Sequence, residues 1–594
     1  MHTAHDRGLD LREIRHFHLF CGLGGGARGF NRGTARVGNM QAVFRCIGGI
    51  DVSPAAIHDF NRLAGVPGTI LDLFDAEQYT AFHGHAPPAG WRPATPADLQ
   101  RAAGGERPHI VFLSAPCKGF SGLLAEEVSR SPKYQALNRL TLRGIWLVLE
   151  AWQDDPPELV VFENVPRIAT RGRALLDQIG ALLRHYGYAI AETTHDCGKL
   201  GGLAQTRKRF LLVARHQEKV PPFLYEPEQH RLRAVGEVLE KLPLPGDIAR
   251  GGPMHRIPLL QWQTWVRLAF VEAGSDWRSL NRLRVHDGYL TDFRLVPERD
   301  WHSGVLGVQT WHEPACTVTG NARSGTGAYS VADPRRTDGV AAFGHYGVRT
   351  WSETSQVLIG KAAVGDGHFA VADPRHSGPE KFNNIYRVIA WDRHATTVTS
   401  NRDVAVADPR THAPMHAPTN DSMRVADPRP NLKRETGDNW TNAGHYGIVK
   451  WTSSASTISG AAGHDNGWFN IADPREPQTP PNATETRLPA AQQRLLAVIR
   501  SLDGTWHRPF TTLELAALQS LVDPEAQLEL DGLSEAAWRE RVGNAVPPDA
   551  AQAIANTMGT TLLLAWSGET FLLSAMPIWV RPIAAGLSVN SARP

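Results

Sequence analysis

Short apolar runs alternate with helix-like patterns over the first 215 residues, and this alternation predicts the fold. Strands that alternate with helices are typical of an α/β protein with a doubly wound parallel sheet. A stretch rich in Pro, Gly, Ala and His over 76–107 is interpreted as an insertion, and helical spacing predicts a helix over 140–152. The predicted strands are His16–Phe20, Ala42–Ile50, Thr69–Leu71, His109–Leu113, Glu158–Phe162, Ala189–Thr194 and Phe210–Ala214.

Several predicted strands end in residues that can carry chemistry. The first leads into the glycine-rich turn Cys21–Ala27, which either lets the backbone approach a nucleotide-like ligand or is a tight turn without one. Asp51 follows the second strand, where such folds bind ribose hydroxyls, and Asp72 follows the third, placed to accept from an adenine amino group. Pro116 stiffens the turn that holds Cys117, a candidate nucleophile or else a small buried hydrophobe.

The middle of the chain contains a sequence repeat with a period of about 40 residues. Each unit is predicted to contain a short strand, a tryptophan, a second strand such as Thr317–Thr319, a Gly-rich turn, and a strand that Asp-Pro terminates. Three tryptophans are spaced 40 residues apart and a fourth begins a further copy: Trp311, Trp351, Trp391 and Trp451. The tripeptide Asp-Pro-Arg begins at Asp333, Asp373, Asp408, Asp427 and Asp473.

Composition limits the class of protein. The 594 residues are 42% hydrophobic and 21% charged, which predicts a globular chain of two or more domains. Five well-separated cysteines without a Cys-x-x-Cys pair predict a reducing, cytoplasmic setting, with neither a disulfide framework nor a metal site. We expect no secretory signal, because the residues after Met1 lack a basic region followed by an apolar core. We also expect no membrane span, since the apolar tail Phe571–Leu587 is interrupted by Pro577, Arg581 and Pro582. A net charge of +2 does not by itself indicate a nucleic-acid partner.

Five short motifs occur in a fixed order along the chain: Phe-Cys-Gly-Leu-Gly-Gly from Phe20, Pro116-Cys117, Glu163–Val165, Gln205–Arg209 and Gly543–Pro547. Together they resemble the motifs of the DNA (cytosine-5)-methyltransferase family. A sixth, Arg508–Gln519, is similar to the family's penultimate motif, and the resemblance covers about 15–215 and 505–560. One departure is Lys118, which stands where the family usually has glutamine.

The resemblance implies a Rossmann-like, S-adenosylmethionine-dependent methyltransferase sheet formed by residues 1–215 and 505–570. Residues 216–504 would form a β-rich target-recognition domain containing the repeats, and 571–594 a tail. The implied reaction is methyl transfer from S-adenosyl-L-methionine to C5 of cytosine in double-stranded DNA. In this reaction the Cys117 thiolate adds transiently to C6, after the base has been flipped out of the duplex.

The resemblance also implies residue roles. Glu163 would hydrogen-bond the cytosine ring, while Arg209, with Arg207 close by, would hold the cytosine O2 or the supporting carboxylate. The structural alternative is a salt-bridge network at a sheet edge. The implied catalytic residues are Cys117, Glu163, Arg207 and Arg209, and the implied cofactor-binding residues are Phe20, Gly22, Gly24, Asp51, Asp72, Pro116 and Asn544.

Two interpretations of the repeats stay open at this stage. In one, the Asp-Pro-Arg arginines bind phosphates while Asn321, Arg323, His464 and Asn466 enter a DNA groove. In the other, Trp and Asp-Pro-Arg are packing and turn elements in which Asp caps its own turn.

Three rivals to the implied function also stay open: a non-catalytic DNA-binding paralogue, the same chemistry on tRNA, and a modified methyl donor. For the implied enzyme we expect a monomer associated with the nucleoid. It would act either alone or with a cognate restriction endonuclease.

Overall fold

The computed structural model describes a large part of the chain. It covers residues 9–116, 120, 131–223, 226–297, 424–429, 444–475, 488–522, 528–532 and 534–568, with the backbone of five short strands between 308 and 390. Cys117, Lys118, Asn321 and Arg323 lie outside the described residues, as does the tail.

The first sheet has the strand order β2-β3-β1-β5-β6-β8-β7, and β4 pairs with β3. Strands β3, β1, β5 and β6 run parallel, β4 is parallel to β3, and β2, β8 and β7 are antiparallel to their neighbours. This confirms the predicted α/β fold, although the sheet is mixed at its edges. The strands are β1 (Asp10–Leu19), β2 (Arg36–Val37), β3 (Met40–Asp51), β4 (Thr69–Ile70), β5 (Ile110–Leu113), β6 (Leu159–Asn164), β7 (Tyr188–Asp196) and β8 (Lys208–His216).

Helices cover both faces of this sheet because alternate residues of the buried strands point to opposite sides. In β5, Val111 belongs to the core under the helix Pro132–Ala151, whereas Phe112 belongs to the core under the helix Gly25–Asn31. The stretch 76–107, interpreted as an insertion, contains two helices. The helices of this region are Gly25–Asn31, Pro54–Ala64, Ala76–His83, Pro96–Ala102, Pro132–Ala151, Ile168–Arg171, Arg173–His185 and Cys197–Gly201.

The helix Pro548–Ser567, from the far end of the sequence, completes the second of these cores. It packs so closely on the first helix that a Cβ added to Gly29 would lie 2.2 Å from the Pro548 carbonyl oxygen. The main-chain N–H of Thr34 donates to Asn556 Oδ1 over 2.7 Å. The glycine at position 29 is therefore required by this helix contact.

A second sheet, with the order β10-β11-β16-β21-β22-β19-β18, lies in the remaining sequence, and β17 pairs with β11. Its core contains Trp265 stacked on Trp506, with ring centroids 6.2 Å apart. Its strands are β10 (Val285–His286), β11 (Tyr289–Pro297), β16 (Asn384–Ala390), β17 (Arg424–Ala426), β18 (Ile448–Lys450), β19 (Asn470–Asp473), β21 (Ala497–Arg500) and β22 (Trp506–Pro509).

Shorter elements surround the second sheet. Strands β9 (Leu260–Gln261) and β20 (Arg494–Leu495) form a two-stranded antiparallel pair. The helices are Val235–Leu239, Ile248–Gly251, Trp262–Phe270, Thr512–Leu518 and Glu535–Asn544, with 3₁₀ turns at Pro253–His255 and Trp277–Arg282. Among the described residues, none of the helices combines the length and apolar character needed to cross a bilayer.

The repeats share one pairing pattern. In three copies the strand before the tryptophan pairs in parallel with the strand before Asp-Pro-Arg. The partner lies twenty-two residues further along each time: Val308 with Ser330, Val348 with Ala370, and Ile448 with Asn470. These pairs are β12 (Val308–Gln309) with β13 (Ser330–Val331), β14 (Val348–Thr350) with β15 (Ala370–Ala372), and β18 with β19.

Candidate active site

The carboxyl ends of the central strands bring most of the predicted site residues to one edge of the first sheet. Strand β1 pairs in parallel with β3 and β5, so that Leu19 lies opposite both Ile50 and Leu113. Strand β5 pairs with β6, with Leu113 opposite Phe162. The residues that follow these positions therefore meet along a single edge. They are Phe20, Asp51, Ser114–Pro116 and Glu163.

The glycine-rich turn exposes its main chain at this edge. Phe20, Gly22 and Gly24 have positive φ angles of 54°, 52° and 94°, which glycine adopts readily and phenylalanine adopts at a cost of about 1–2 kcal/mol. A Cβ added to Gly22 would meet no atom within 4 Å, so the space above the turn is open. This geometry favours the ligand-approach interpretation over a tight turn without a ligand.

Asp51 is held against this turn by main-chain donors. Its Oδ2 accepts from the Gly22 N–H over 3.0 Å, and its Oδ1 accepts from the Ser53 N–H over 2.9 Å. Burial raises the pKa of Asp51, and these hydrogen bonds oppose the rise. Because each carboxylate oxygen has a second lone pair, the group can still accept from a diol.

Asp72 follows β4 and caps its own turn, with Oδ1 accepting from the Phe74 N–H over 2.9 Å. Sequence reasoning missed Arg143, which lies in the helix packed beside this turn. It donates to the carbonyl oxygens of Leu73 and Ala94 over 2.8 and 3.0 Å. Because both partners are main-chain atoms, nothing in the sequence marked this arginine.

Glu163 and Arg209 form an ion pair at the same edge. Arg209 Nε lies 2.8 Å from Glu163 Oε1, and the two side chains are only 12% and 13% exposed. The pair forms because β6 and β8 are antiparallel and Glu163 lies opposite Leu211, two residues beyond Arg209. A guanidinium thus holds the carboxylate in one orientation.

The turn after β5 is attached to the end of β6. Asn164, which is fully buried, donates from Nδ2 to the Ala115 carbonyl oxygen over 3.5 Å. Pro116 follows directly and is partly buried. Cys117 itself lies outside the described residues, so its assignment as a nucleophile stays a prediction.

Arg207 takes a different position from Arg209. Its buried guanidinium donates to the carbonyl oxygens of Ile458, Gly543 and Ala545 over 2.9, 3.0 and 2.9 Å. It therefore joins three separate parts of the chain. Such contacts are those of a residue that positions the Gln205–Arg209 segment.

The fourth repeat copy docks on this segment. The main-chain N–H of Ala455 donates to the Ala204 carbonyl oxygen over 2.8 Å, and the main-chain N–H of Thr206 donates to the Ala455 carbonyl oxygen over 3.0 Å. The Ile458 N–H donates to Gln205 Oε1 over 3.3 Å. The second strand expected after each tryptophan is replaced in this copy by a docking segment with one isolated bridge.

Asn544 ends the helix Glu535–Asn544 beside this docking segment. Its side chain is exposed, and a Cβ added to Gly460 would lie 3.2 Å from its Oδ1. The neighbouring Gly543 packs directly on the main chain of Ser459. The structure thus brings the last predicted motif to the Gln205–Arg209 segment as well.

The Asp-Pro-Arg arginines in the two fully described copies bind their own aspartate. Arg429 Nε and Nη2 lie 2.7 and 2.9 Å from the Asp427 carboxylate, and Arg475 makes the equivalent contacts with Asp473. Each aspartate also accepts from the arginine N–H over 3.0 Å. In these copies the aspartate caps its own turn, as the second interpretation predicts.

Asp473 also belongs to a buried ionic network. Arg508 Nη2 lies 2.6 Å from Asp473 and 2.7 Å from Glu514, and all three side chains are excluded from water. Burial alone would raise the pKa of Asp473, but Arg508 and Arg475 lower it to about 2. The network links β19 and β22 to the helix Thr512–Leu518.

Trp451, the tryptophan of the fourth copy, is a packing element. The Arg475 guanidinium lies 5.0 Å from its ring, and its Nε1 donates to Glu240 over 3.3 Å. Asn466, expected to enter a groove, accepts from the Gly463 N–H over 2.8 Å and so closes a local turn. Burial lowers the pKa of His464.

The residues at the sheet edge suit the cofactor that the sequence implies. The open space above Gly22 leaves room for a ligand close to the main chain, and Asp51 supplies fixed acceptors for a ribose diol. Phe20 and Asp72 lie at the ends of the adjoining strands. This donor set matches an adenosine-containing molecule.

Comparison with known proteins gives a family for part of the chain. Residues 97–246 match the model of the C-5 cytosine-specific DNA methylase family, which confirms the resemblance inferred from the motifs. This range contains Pro116, Cys117, Glu163, Arg207 and Arg209. No curated protein matches the chain.

Solved structures give weak likenesses. The Entamoeba histolytica methyltransferase EhMeth aligns over 93% of this chain and 98% of its own, at 9% identity and a TM-score of 0.43. The S. pombe Dnmt2 methyltransferase aligns over 93% of this chain and 98% of its own, at 12% identity and a TM-score of 0.37. An E. coli protein described as a "putative DNA modification methyltransferase encoded within prophage Cp" aligns over 93% of this chain and 99% of its own, at 13% identity and a TM-score of 0.37. At these TM-scores the likenesses carry no argument about substrate.

Proposed function

Because this chain carries a C-5 cytosine-specific DNA methylase domain at residues 97–246, we propose that it methylates C5 of cytosine in double-stranded DNA at a specific sequence. S-adenosylmethionine bound at the glycine-rich turn supplies the methyl group. The observation that carries the proposal is the Glu163–Arg209 ion pair, which lies at the edge of the sheet where β5 ends three residues before Pro116.

Cys117 activates the ring in this proposal. C5 of cytosine is a poor nucleophile, so the Cys117 thiolate first forms a bond to C6 and the displaced electron pair moves toward C5. C5 would then bond to the methyl group while the bond between that methyl group and the donor's sulfonium sulfur breaks, with the electron pair staying on the sulfur. A water molecule would take up the C5 proton, and the electron pair left behind would expel the Cys117 thiolate from C6 and restore the aromatic ring.

Glu163 recognises the ring during addition. Its carboxyl group hydrogen-bonds N3 and the exocyclic amine, where charge changes as the thiolate adds. Arg209 fixes the orientation of Glu163 through the 2.8 Å contact, and the rigid guanidinium fork limits the carboxylate's rotation. Arg207 holds the segment that carries Arg209 in place.

Target recognition falls to the β-rich middle of the chain in this proposal. The fourth repeat copy has its Trp451 and Asp473 side chains committed to packing, so its contribution is to dock the middle region on the catalytic edge. The target base must leave the duplex, which costs a few kcal/mol and is offset by contacts in the pocket.

The proposal is tested by incubating the purified full chain with methyl-labelled S-adenosylmethionine and either duplex DNA or tRNA. We expect label in cytosine of duplex DNA, none with Cys117→Ala, and label again with Cys197→Ala, a control at a buried cysteine elsewhere in the chain. Label in tRNA alone would contradict the substrate assignment. Activity retained by Cys117→Ala would contradict the nucleophile.

A duplex that carries 5-fluorocytosine at the preferred site tests the covalent step directly. Fluorine cannot leave as a proton does, so the bond between Cys117 and C6 should persist and survive denaturation. Modification-sensitive sequencing of DNA from expressing cells identifies the site beforehand.

A further inference from the structure

Two histidines and a cysteine, none of which has a role in the proposed reaction, lie together inside the first sheet. His16 and His18 are two residues apart on β1, which places them on the same face, and His16 lies opposite Cys46 on β3. One donor atom from each of the three side chains lies within 4.8 Å of the other two. Imidazole and thiolate are the ligands that soft and borderline cations prefer.

The cluster is sealed from water. His16, His18 and Cys46 are 0%, 2% and 1% exposed. The Phe30 ring lies 5.3 and 5.5 Å from the two imidazoles, and the Phe112 ring lies 5.6 Å from His18. Polar rings are costly in such an apolar setting unless their nitrogens have partners, so the partners of these nitrogens decide what the cluster can bind.

Asn31 fixes the orientation of His16. Its Nδ2 donates to the Ala64 carbonyl oxygen over 2.8 Å, and its Oδ1 accepts from the Cys46 N–H over 3.0 Å. The same Oδ1 therefore accepts from His16 Nε2, 3.1 Å away. The proton sits on Nε2, and the lone pair of Nδ1 points into the cluster. A ligand histidine that donates its other nitrogen to a carbonyl oxygen is the usual arrangement at metal sites.

The two imidazoles meet inside the cluster. His16 Nδ1 lies 2.8 Å from His18 Nε2. Two nitrogens bound to one metal at about 2.0 Å lie about 3.3 Å apart in tetrahedral geometry, so a bound ion requires them to separate by roughly half an ångström. Without an ion, the same contact is an ordinary N–H···N hydrogen bond between neutral rings.

Charge selects the ion. Without an ion the Cys46 thiol donates to the Gly48 carbonyl oxygen over 3.5 Å. Binding of the ion releases this proton to water, and the resulting thiolate contributes a single negative charge beside two neutral imidazoles. A monovalent cation makes this buried site neutral, whereas a divalent one leaves a net positive charge without water. Thiolate ligands favour Cu(I) among monovalent ions.

We propose that His16, His18 and Cys46 form a buried copper(I) site that joins β1 to β3 directly before the glycine-rich turn. The ion enters during folding, because the folded cluster is closed to solvent. Its role is structural, and it takes no part in methyl transfer.

The test is to refold the denatured full chain anaerobically in the presence of Cu(I), and then to measure the bound copper by competition with a chromogenic copper chelator. We expect one copper per chain and a near-ultraviolet thiolate-to-copper absorption band. Both should be lost in Cys46→Ala and retained in Cys197→Ala, whose thiol is equally buried. Copper should raise the unfolding temperature of the wild-type chain and leave that of Cys46→Ala unchanged.

X-ray absorption spectroscopy of the copper-loaded wild-type chain identifies the atoms bound to the ion, and this test does not depend on whether a variant folds. Two nitrogens and one sulfur around the ion support the site. No bound copper, copper fully retained by Cys46→Ala, or stoichiometric zinc in place of copper would overturn the proposal and leave a hydrogen-bonded histidine pair.

Discussion

The two sheets of this chain use charged residues in opposite ways. At the edge of the first sheet, Glu163 and Arg209 form a pair that keeps about an eighth of each side chain open to solvent. In the second sheet, Asp473, Arg508 and Glu514 form a network that water does not reach. The first arrangement can exchange a partner for a substrate, whereas the second cannot without leaving a buried charge unpaired.

The two groups of charged residues also differ in where they lie in the fold. The Glu163–Arg209 pair lies where parallel strands end, which is where ligands bind in open α/β sheets. The Arg508 network lies where the last repeat copy meets a helix that follows it in sequence. A charged motif in a repeat is therefore no evidence of a DNA contact until its partners are known.

The largest expected effect is on catalysis. Glu163→Gln should lower kcat by about 100- to 1,000-fold, because an amide cannot stabilise the charge that addition creates on the ring. Steady-state kinetics with duplex DNA measures it. The matched control is Glu192→Gln. Glu192 lies on β7 and forms a surface ion pair with Arg173, and its substitution should change kcat less than twofold. Equal losses in both variants would mean that Glu163 is merely structural.

Next in size is the effect on folding. Arg508→Met should destabilise the chain by about 3–5 kcal/mol, because it leaves the buried Asp473 and Glu514 without their shared partner. Thermal unfolding measures the loss. Arg429→Met removes the same kind of fork at a half-buried position and should cost about 1 kcal/mol or less. If the two variants unfold alike, burial does not distinguish these ion pairs.

Acid should weaken the second sheet in a defined range. The folded-state pKa of Asp473, about 2, lies below the ordinary value, so its contribution is complete above about pH 4 and is lost as the pH falls toward 2. This contribution is about 2 kcal/mol. The free energy of unfolding, measured with denaturant, should differ between wild type and Asp473→Asn by less at pH 3 than at pH 5. The more exposed Asp292→Asn control should show no such narrowing.

The smallest expected effect concerns DNA binding. Arg429→Met should change the affinity for duplex DNA less than twofold and leave its salt dependence unaltered, because Asp427 already occupies the guanidinium. Affinity measured over a range of salt concentrations tests this. A shallower salt slope would instead assign Arg429 to a phosphate.

The sequence predicts the first sheet well because its signals are local. An apolar strand followed by Gly22, or by an acid such as Asp51, specifies both the element and its end within a few residues. The observed strands differ from the predicted ones mainly in length. Strand β1, for example, begins at Asp10, whereas the apolar pattern begins at His16. Residues 10–13, which are polar except for Leu11, extend the strand by pairing along β3.

The docking of the fourth repeat was not predictable, because its contacts join residues about 250 positions apart. Arg207 binds the Ile458 carbonyl oxygen, and main-chain partners leave no trace in side-chain patterns. Arg508 likewise gave no sign that its partner would be the aspartate of a repeat. Sequence motifs indicate which residues to propose as catalytic, but not which contacts hold those residues in place.

The contact between Gly29 and the helix Pro548–Ser567 has a consequence for synthesis. The first helix emerges from the ribosome early, yet the helix that covers it is translated roughly half a minute to two minutes later, at about 5–20 residues per second. During that interval one face of the nascent sheet is uncovered, and a chaperone or a neighbouring chain can bind there first.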